Sequence, residues 1–279
     1  MSLIKEDYPE FSVLISVYKN DKPEWLELSL RSIINQSLPP TEIVLVKDGP
    51  VSIELNRIIE QFSKMGPFKI ISLSKNMGLS TALAVGLKAC SFNLVARMDA
   101  DDISSVDRFK KQIEYIERTN SDVVGSWADA IDENGNFIRV LRVPTENNRI
   151  HELIWTCPFI HPSVIFRKDA IIGAGSYRPE AGPRQDDYDL WFRCSAQNLK
   201  FSNIPESLLF YRFSEENVNR NNIRVCWYKL IVGFKGCRKV KAKMIGYIGI
   251  TIPFIRSILP RPFNFYFYNF SQRFNPRIK

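Results

Sequence analysis

A chain of 279 residues, 45% apolar and 24% charged, has the composition of a soluble globular protein. Its length suits one large domain, or one domain with an appendage. Five scattered cysteines, odd in number and without a CxxC pair, argue against a disulfide framework or structural zinc and for a reducing compartment. The formal charge of +8 hides a split: residues 217–279 hold thirteen Lys and Arg and no Asp or Glu, leaving residues 1–216 at −5.

The N-terminal Met-Ser-Leu-Ile-Lys-Glu-Asp lacks an apolar core of signal-peptide length, so a cytosolic location is expected. Phe11 to Tyr18 is a run of β-branched and aromatic residues, expected to be a buried strand. Pro23 opens a helix whose Leu26, Leu30 and Ile33 fall on one face, ending before Pro39-Pro40. Glu42 to Lys47 is a second strand, and Leu55, Ile58, Ile59 and Phe62 mark a second helix closed by Gly66-Pro67. Phe68 to Leu73, Leu79 to Cys90 and Asn93 to Met98 follow as strand, helix and strand. Such alternation implies a parallel sheet with right-handed crossovers, whose ligands bind beyond the carboxyl ends of the strands. Tyr18, Asp48, Asn76 with Gly78, and Asp99 with Asp101 each follow one of these strands, which points to a nucleotide pocket.

Beyond residue 104 the pattern loosens. Ser105 to Arg118 reads as an amphipathic helix, and Asp122 to Arg142 as a strand pair around the turn Glu133-Asn134-Gly135-Asn136. His161 to Arg167 reads as a strand, Gly173 to Arg184 as a Gly/Pro-rich loop, and Asp187 to Gln197 as a helix with Leu190, Trp191 and Cys194 inward. No internal repeat or low-complexity tract is visible.

The acidic run Asp99-Ala-Asp101-Asp102 leaves the fourth strand with three carboxylates in four positions. Like charges this close repel unless a cation neutralises them, and hard oxygen ligands without nearby Cys or His favour Mg²⁺ or Mn²⁺. The alternative is a solvated acidic turn that caps the next helix.

Five segments resemble the inverting family 2 glycosyltransferases of the Rossmann-like GT-A fold. They are Val13-Leu-Ile-Ser16-Val-Tyr18, Glu42-Ile-Val-Leu-Val-Lys-Asp48-Gly, Asn76-Met-Gly78 through Gly86, Arg97-Met-Asp99-Ala-Asp101-Asp102, and Asp186-Asp187-Tyr-Asp189-Leu-Trp191-Phe-Arg193. They lie in the family's order and spacing. The resemblance implies an α/β fold with a mostly parallel central sheet flanked by helices. It also implies that Tyr18 and Asp48 bracket the nucleobase and ribose, with Ser16 among the donor-binding residues. Asn76-Met-Gly78 lets the backbone approach the diphosphate at a helix N-terminus; an ordinary Gly before a helix is the alternative. Asp99 would touch the ribose or Arg97, and Asp101 with Asp99 would hold Mn²⁺ or Mg²⁺ at the diphosphate.

By the same resemblance Asp187 is the general base that deprotonates the acceptor hydroxyl, with Asp186 beside it; two acids capping a helix are the alternative. The family usually has Glu-Asp here, so Asp186 is one methylene short. Many relatives carry Tyr-Arg-x-His after this helix, whereas this chain reads Tyr211-Arg212-Phe213-Ser214, leaving Arg212 to take up diphosphate charge. His161 resembles a position near the acceptor; a structural histidine is the alternative.

The basic segment interleaves Lys and Arg with Trp, Tyr and Phe, and its apolar runs are too short to span a bilayer. A helical segment lying on an anionic membrane is expected, with nucleic acid or a solvated basic face as alternatives. The domain reading is therefore 1–216 for transfer, divided into a nucleotide half (1–103) and an acceptor half (104–216), followed by the basic tail 217–279. The expected activity is metal-dependent transfer of one sugar, with inversion, from a UDP-sugar such as UDP-glucose or UDP-galactose. The acceptor would be a polyprenyl-diphosphate-linked glycan of O-antigen, capsule or exopolysaccharide assembly, at the inner face of the plasma membrane. The Gln-x-x-Arg-Trp motif of processive synthases is missing, and nucleic acid is not an expected partner. A nucleotidyltransferase and a non-catalytic sugar-binding protein are the competing readings; the first would need a Gly-rich basic loop after the first strand, which Tyr18-Lys-Asn-Asp-Lys-Pro does not supply.

Overall fold

Phe11–Val17 (β1), Glu42–Lys47 (β2), Phe68–Ser72 (β3) and Leu94–Met98 (β4) pair in parallel, in the order β3-β2-β1-β4. The computed structural model describes residues 8–213 and 222–260. Side chains that alternate along a strand point to opposite faces. In β1 and β2, Val13, Ile15, Ile43 and Leu45 accordingly join one core, and Leu14, Val44 and Val46 the other. The first core is covered by Pro23–Ile34 (α1) and Ile53–Ser63 (α2) through the expected Leu26, Leu30, Ile33, Leu55 and Phe62. The second is covered by Leu79–Ala89 (α3), whose Gly86 lets it sit directly on Leu14 and Val46. Local chemistry sets the ends: Pro23 occupies the first turn of α1, and the Ser52 hydroxyl accepts from Leu55 N–H to start α2.

After β4 come Ile103–Ser104 (β5), Arg108–Thr119 (α4), Val123–Ile131 (β6), Phe137–Leu141 (β7), Asn147–Glu152 (α5), Ile165–Arg167 (β8), Lys168–Gly173 (α6), Asp186–Ala196 (α7) and Phe201–Arg212 (β9). They continue the same sheet as β4-β8-β6-β9-β5, with β7 pairing the later part of β6, beyond β8. Here β8 is antiparallel to both β4 and β6, whereas β9 runs parallel to β6.

Three expectations are corrected. The helix after residue 105 begins at Arg108, three residues later than expected. His161 to Arg167 is not one strand: His161–Ser163 is a single 3₁₀ turn and only Ile165–Arg167 pairs. Pro162 has no N–H to offer a ladder, which accounts for the break. The loop from Gly173 to Arg184 contains a 3₁₀ turn at Pro179–Ala181.

Ile223–Lys239 (α8) and Met244–Ile258 (α9) pack onto the body. A Cβ at Gly236 would fall 2.3 Å from the Phe192 ring, and one at Gly249 1.9 Å from the Trp155 ring, so both helices lie in direct contact with α7 and the turn at Ile154–Thr156. No helix among the described residues is long and apolar enough to cross a membrane. Ser214, residues 217–221 and residues 261–279 of the basic segment lie outside the described residues.

Candidate functional site

The carboxyl ends of β1, β2 and β4 meet the N-terminus of α3. Asp48 is buried, and both its carboxylate oxygens accept from main-chain N–H groups: Met77 at 2.7 Å and Gly78 at 3.0 Å. Gly49, at φ +86°, is where the chain crosses this loop; a Cβ there would fall 2.5 Å from Asn76 N. Asp48 therefore fixes the loop. Gly78, at φ +87°, has nothing within 4 Å of where a Cβ would project, and Leu79 and Ser80 of α3 join it on the wall of a pocket of about 540 Å³. The unpaired N–H groups of a helix's first turn attract anions there.

Ser16, Tyr18 and Asn76 lie beside this edge, outside the pocket wall; Tyr18 N–H donates to Asp21 at 2.8 Å.

Beyond β4, the carboxylates of Asp99, Asp101 and Asp102 come together, with one oxygen of each within 4.8 Å of the others. Asp102 is 1% exposed; its Oδ1 accepts from Arg212 N–H at 2.8 Å, and its Oδ2 is buried without a hydrogen-bond partner among the described residues. Burial, with the charges of Asp101 and Asp99, pushes its carboxyl well above the usual carboxylate range. A buried carboxylate oxygen left unused beside two more carboxylates fits a divalent cation, whose charge would reverse that shift. The sequence singles out Asp101 with Asp99 for the metal, and the structure adds Asp102 of the same run to the cluster.

Arg97, also buried, pairs with Asp99, and its Nε and Nη1 have no hydrogen-bond partner among the described residues. Burial opposes its charge, yet the Asp99 carboxylate outweighs this and keeps the guanidinium firmly protonated. Behind it, fully buried Arg108 donates to the Arg97 carbonyl at 2.8 Å and to the Ser104 hydroxyl at 3.1 Å. Burial pushes its proton affinity down to about 9.

Arg212, expected to take up diphosphate charge, is engaged by the main chain around it. Its guanidinium donates to the main-chain carbonyls of Asp101, Asp132 and Glu133 at 2.9–3.0 Å and lies 5.0 Å from the Trp25 ring. Neighbours in a strand point to opposite faces, so it is Tyr211 that reaches the pocket wall. Arg212 thus ties the acidic loop to the β6–β7 turn.

The far wall is the start of α7. Asp186 is buried, and desolvation together with the charge of Asp187 raises its carboxyl to about 6. Asp187 is half-buried and accepts from the Cys157 thiol at 3.3 Å and from Tyr188 N–H at 2.7 Å. His161 is on the same wall, 8% exposed, with Nε2 2.9 Å from the Tyr177 hydroxyl and Nδ1 4.0 Å from Asp186. Burial, then the charge of Arg97, holds its protonation well below the usual histidine range, so it is neutral. The structure therefore brings together Gly78, Arg97, Asp99, His161, Asp186 and Asp187 on one pocket. Tyr177 and Cys157 escaped the sequence reading, since one sits in an aperiodic loop and the other before a proline, with no motif around either.

A Rossmann-like sheet whose acidic, cation-ready strand end faces a pair of aspartates is the architecture of the GT-A transferases. The chain belongs to glycosyl transferase family 2, whose model matches residues 12–173. It is 41% identical over 260 residues to the amylovoran biosynthesis glycosyltransferase AmsE of Erwinia amylovora, covering 90% of this chain and 93% of that one. It is 35% identical over 220 residues to the UDP-Gal:alpha-D-GlcNAc-diphosphoundecaprenol beta-1,3-galactosyltransferase of Escherichia coli, covering 78% and 79%. Among solved structures, a mannosyltransferase of Pyrobaculum calidifontis in complex with GDP-Man and Mn²⁺ superposes with a TM-score of 0.66 at 17% identity, over 94% of this chain and 73% of that one.

Proposed function

We propose that this glycosyltransferase moves one sugar, with inversion, from a UDP-sugar to a hydroxyl of a polyprenyl-diphosphate-linked glycan during bacterial surface-polysaccharide assembly. The observation that carries this reading is the cluster Asp99, Asp101 and Asp102, whose Asp99 lines the same pocket as the Asp186–Asp187 pair. The Escherichia coli relative's named donor and acceptor support the choice of UDP-galactose and a lipid-linked acceptor. Residues 1–103 would hold the donor, 104–216 the acceptor, and 217–279 would keep the enzyme on the anionic inner face of the membrane.

Asp99, Asp101 and Asp102 are the residues that would hold Mn²⁺ or Mg²⁺, which when bound neutralises the departing diphosphate. The first turn of α3 binds the same phosphates. Asp187, the more open of the aspartate pair, takes the proton from the acceptor hydroxyl. The hydroxyl oxygen then bonds to the anomeric carbon as its bond to the diphosphate oxygen breaks, so the sugar inverts and UDP leaves. Asp186, buried against neutral His161, sets the negative charge beside the base.

Two measurements test this. Asp187→Asn should lower turnover by roughly 10²–10⁴-fold while UDP-sugar binding is kept; a protein that merely binds sugar would be indifferent. Calorimetric titration of UDP, GDP, CDP and dTDP with Mn²⁺, with Mg²⁺ and with EDTA should give metal-dependent binding of UDP alone. No nucleotide binding under any condition would sink the transferase reading.

A further inference from the structure

Helix α9 is apolar on both its faces. Gly246 and Ile250 pack inward, against Trp155 and Gly233. Met244, Ile245, Ile248, Ile255 and Ile258 recur at helical spacing on the opposite side and are 37–74% exposed. An outward stripe of this kind is not the face a helix presents to water.

The surroundings say what covers it. From Ile223 to Ile258 there are eight Lys and Arg and no acidic residue. Half-exposed Trp227 and Phe234 of α8 meet Phe254 and Tyr247 of α9 at 5.4 Å, tilted and edge-to-face respectively, so aromatic rings fill the seam between the two helices. The nearby acid Glu152 is already paired with Lys243 and Arg149. Aliphatic side chains framed by aromatic rings and cationic side chains suit the headgroup boundary of an anionic bilayer. At 15 residues α9 is about 22 Å long, too short to cross and long enough to lie flat.

We propose that the outward stripe of α9 inserts into one leaflet of an anionic membrane and is the element that seats the enzyme there. This deepens the membrane role assigned to residues 217–279, since the contact is made by named aliphatic side chains as well as by charge. The seat bears on the pocket. Tyr228 of α8 packs on Gly182 in the pocket wall, and the Trp155 carbonyl under α9 accepts from Tyr188 O–H at 2.8 Å, next to Asp187. A lipid-borne acceptor would thus reach Asp187 from the surface on which α9 rests.

The test is co-sedimentation of the full chain with phosphatidylglycerol/phosphatidylcholine vesicles, alongside transfer to a water-soluble acceptor analogue. The triple variant Ile245→Ser, Ile248→Ser, Ile255→Ser should lose at least tenfold in vesicle partitioning, in low and high salt alike, with unfolding temperature and soluble-acceptor transfer retained. Lys235→Gln with Lys239→Gln should instead lose binding mainly at low salt. A triple variant that binds as well as the parent overturns the proposal in favour of charge alone. A parent that ignores the vesicles, or one that sediments as a dimer which the triple variant dissolves, overturns it in favour of the chain's own segment or a second copy as the cover. Absence of transfer in the parent would count against the enzymatic reading and leave the vesicle result standing.

Discussion

The two halves of the sheet are held together by different means. Strands β1, β2 and β4 bury apolar residues on both faces, and the pocket lies beyond the carboxyl end of β4. Around β6, β8 and β9 the interior is threaded with buried polar side chains: Arg108 and Gln112 from α4, Ser126, Ser163, Arg193 and Asn203. Gln112 donates to the carbonyls of Val124 and Ser163, and Asn203 to those of Pro144 and Pro158, so irregular segments are fixed by side chains that cap their backbone. Apolar burial tolerates adjustment, whereas a removed buried donor leaves its acceptors unsatisfied. The two halves should therefore respond differently to single substitutions.

The largest effect is expected at Arg108, the tie between the halves. Arg108→Ala strands the carbonyl of Arg97, loses the bonds to Gln112 and Ser104, and removes the positive charge that interacts with buried Asp102. The loss should be about 3–5 kcal/mol, the range for removing one member of a buried charge network. Urea unfolding would measure it; a loss under about 1 kcal/mol, the net worth of one ordinary hydrogen bond, would mean that the second half does not depend on these ties.

Asp186 should respond with the opposite sign. Its carboxyl sits near 6 in the folded protein against an ordinary 3.8, so between those values the native state holds the proton more tightly than the unfolded chain. Its ionisation therefore costs stability as the pH rises, fully so above about pH 6, and costs nothing below about pH 4. Asp186→Asn should gain about 2–3 kcal/mol at pH 8, and this gain should fade on acidification. Thermal unfolding of both proteins at pH 4 and pH 8 checks it. A gain that is the same at both pH values would show that packing, and not charge, is responsible. The same substitution should lower turnover, as expected where a site is held in a costly state for its chemistry.

What could be read ahead of the structure follows the same division. β2 was legible to the residue, and α3 nearly so, because Glu42-Ile-Val-Leu-Val-Lys and Leu79 onward carry unbroken local patterns. The twelve residues of β9 passed unseen: Pro205 and the polar Ser202, Asn203, Glu206 and Ser207 mask the alternation, and the strand shifts register on β6 there. Within the site, residues carried by strand ends and motifs were identifiable. Tyr177 and Cys157 were not, since they lie behind the pocket wall and touch His161 and Asp187 only through long-range packing. The main-chain partners of Arg212 are not legible in the sequence, because β9 shows no clear alternation and without the strand the side of Arg212 relative to Tyr211 has no meaning. Asp48 stands out in the sequence as a strand-end carboxylate, but its hold on Met77 and Gly78 depends on a loop crossing that only coordinates reveal.

The mildest test belongs to the first half, at Gly86. Its φ is ordinary for a helix, so glycine is needed there for room alone. A Cβ would lie 2.4 Å from Leu14 Cδ1 and 2.7 Å from Val46 Cγ2, both ends of side chains that have some freedom to turn. Alanine in mid-helix gains about 1 kcal/mol over glycine. Crowding a packed core costs about 1–3 kcal/mol. The net expectation for Gly86→Ala is a loss of about 1 kcal/mol, independent of pH, with α3 displaced slightly from the sheet. Because the first turn of α3 carries Gly78 to Ser80 on the pocket wall, the displacement should show as a several-fold weaker affinity for UDP with little change in turnover at saturating donor. Unaltered affinity together with the loss of stability would mean that the loop held by Asp48 positions the α3 N-terminus on its own, decoupled from how α3 rests on β1 and β2.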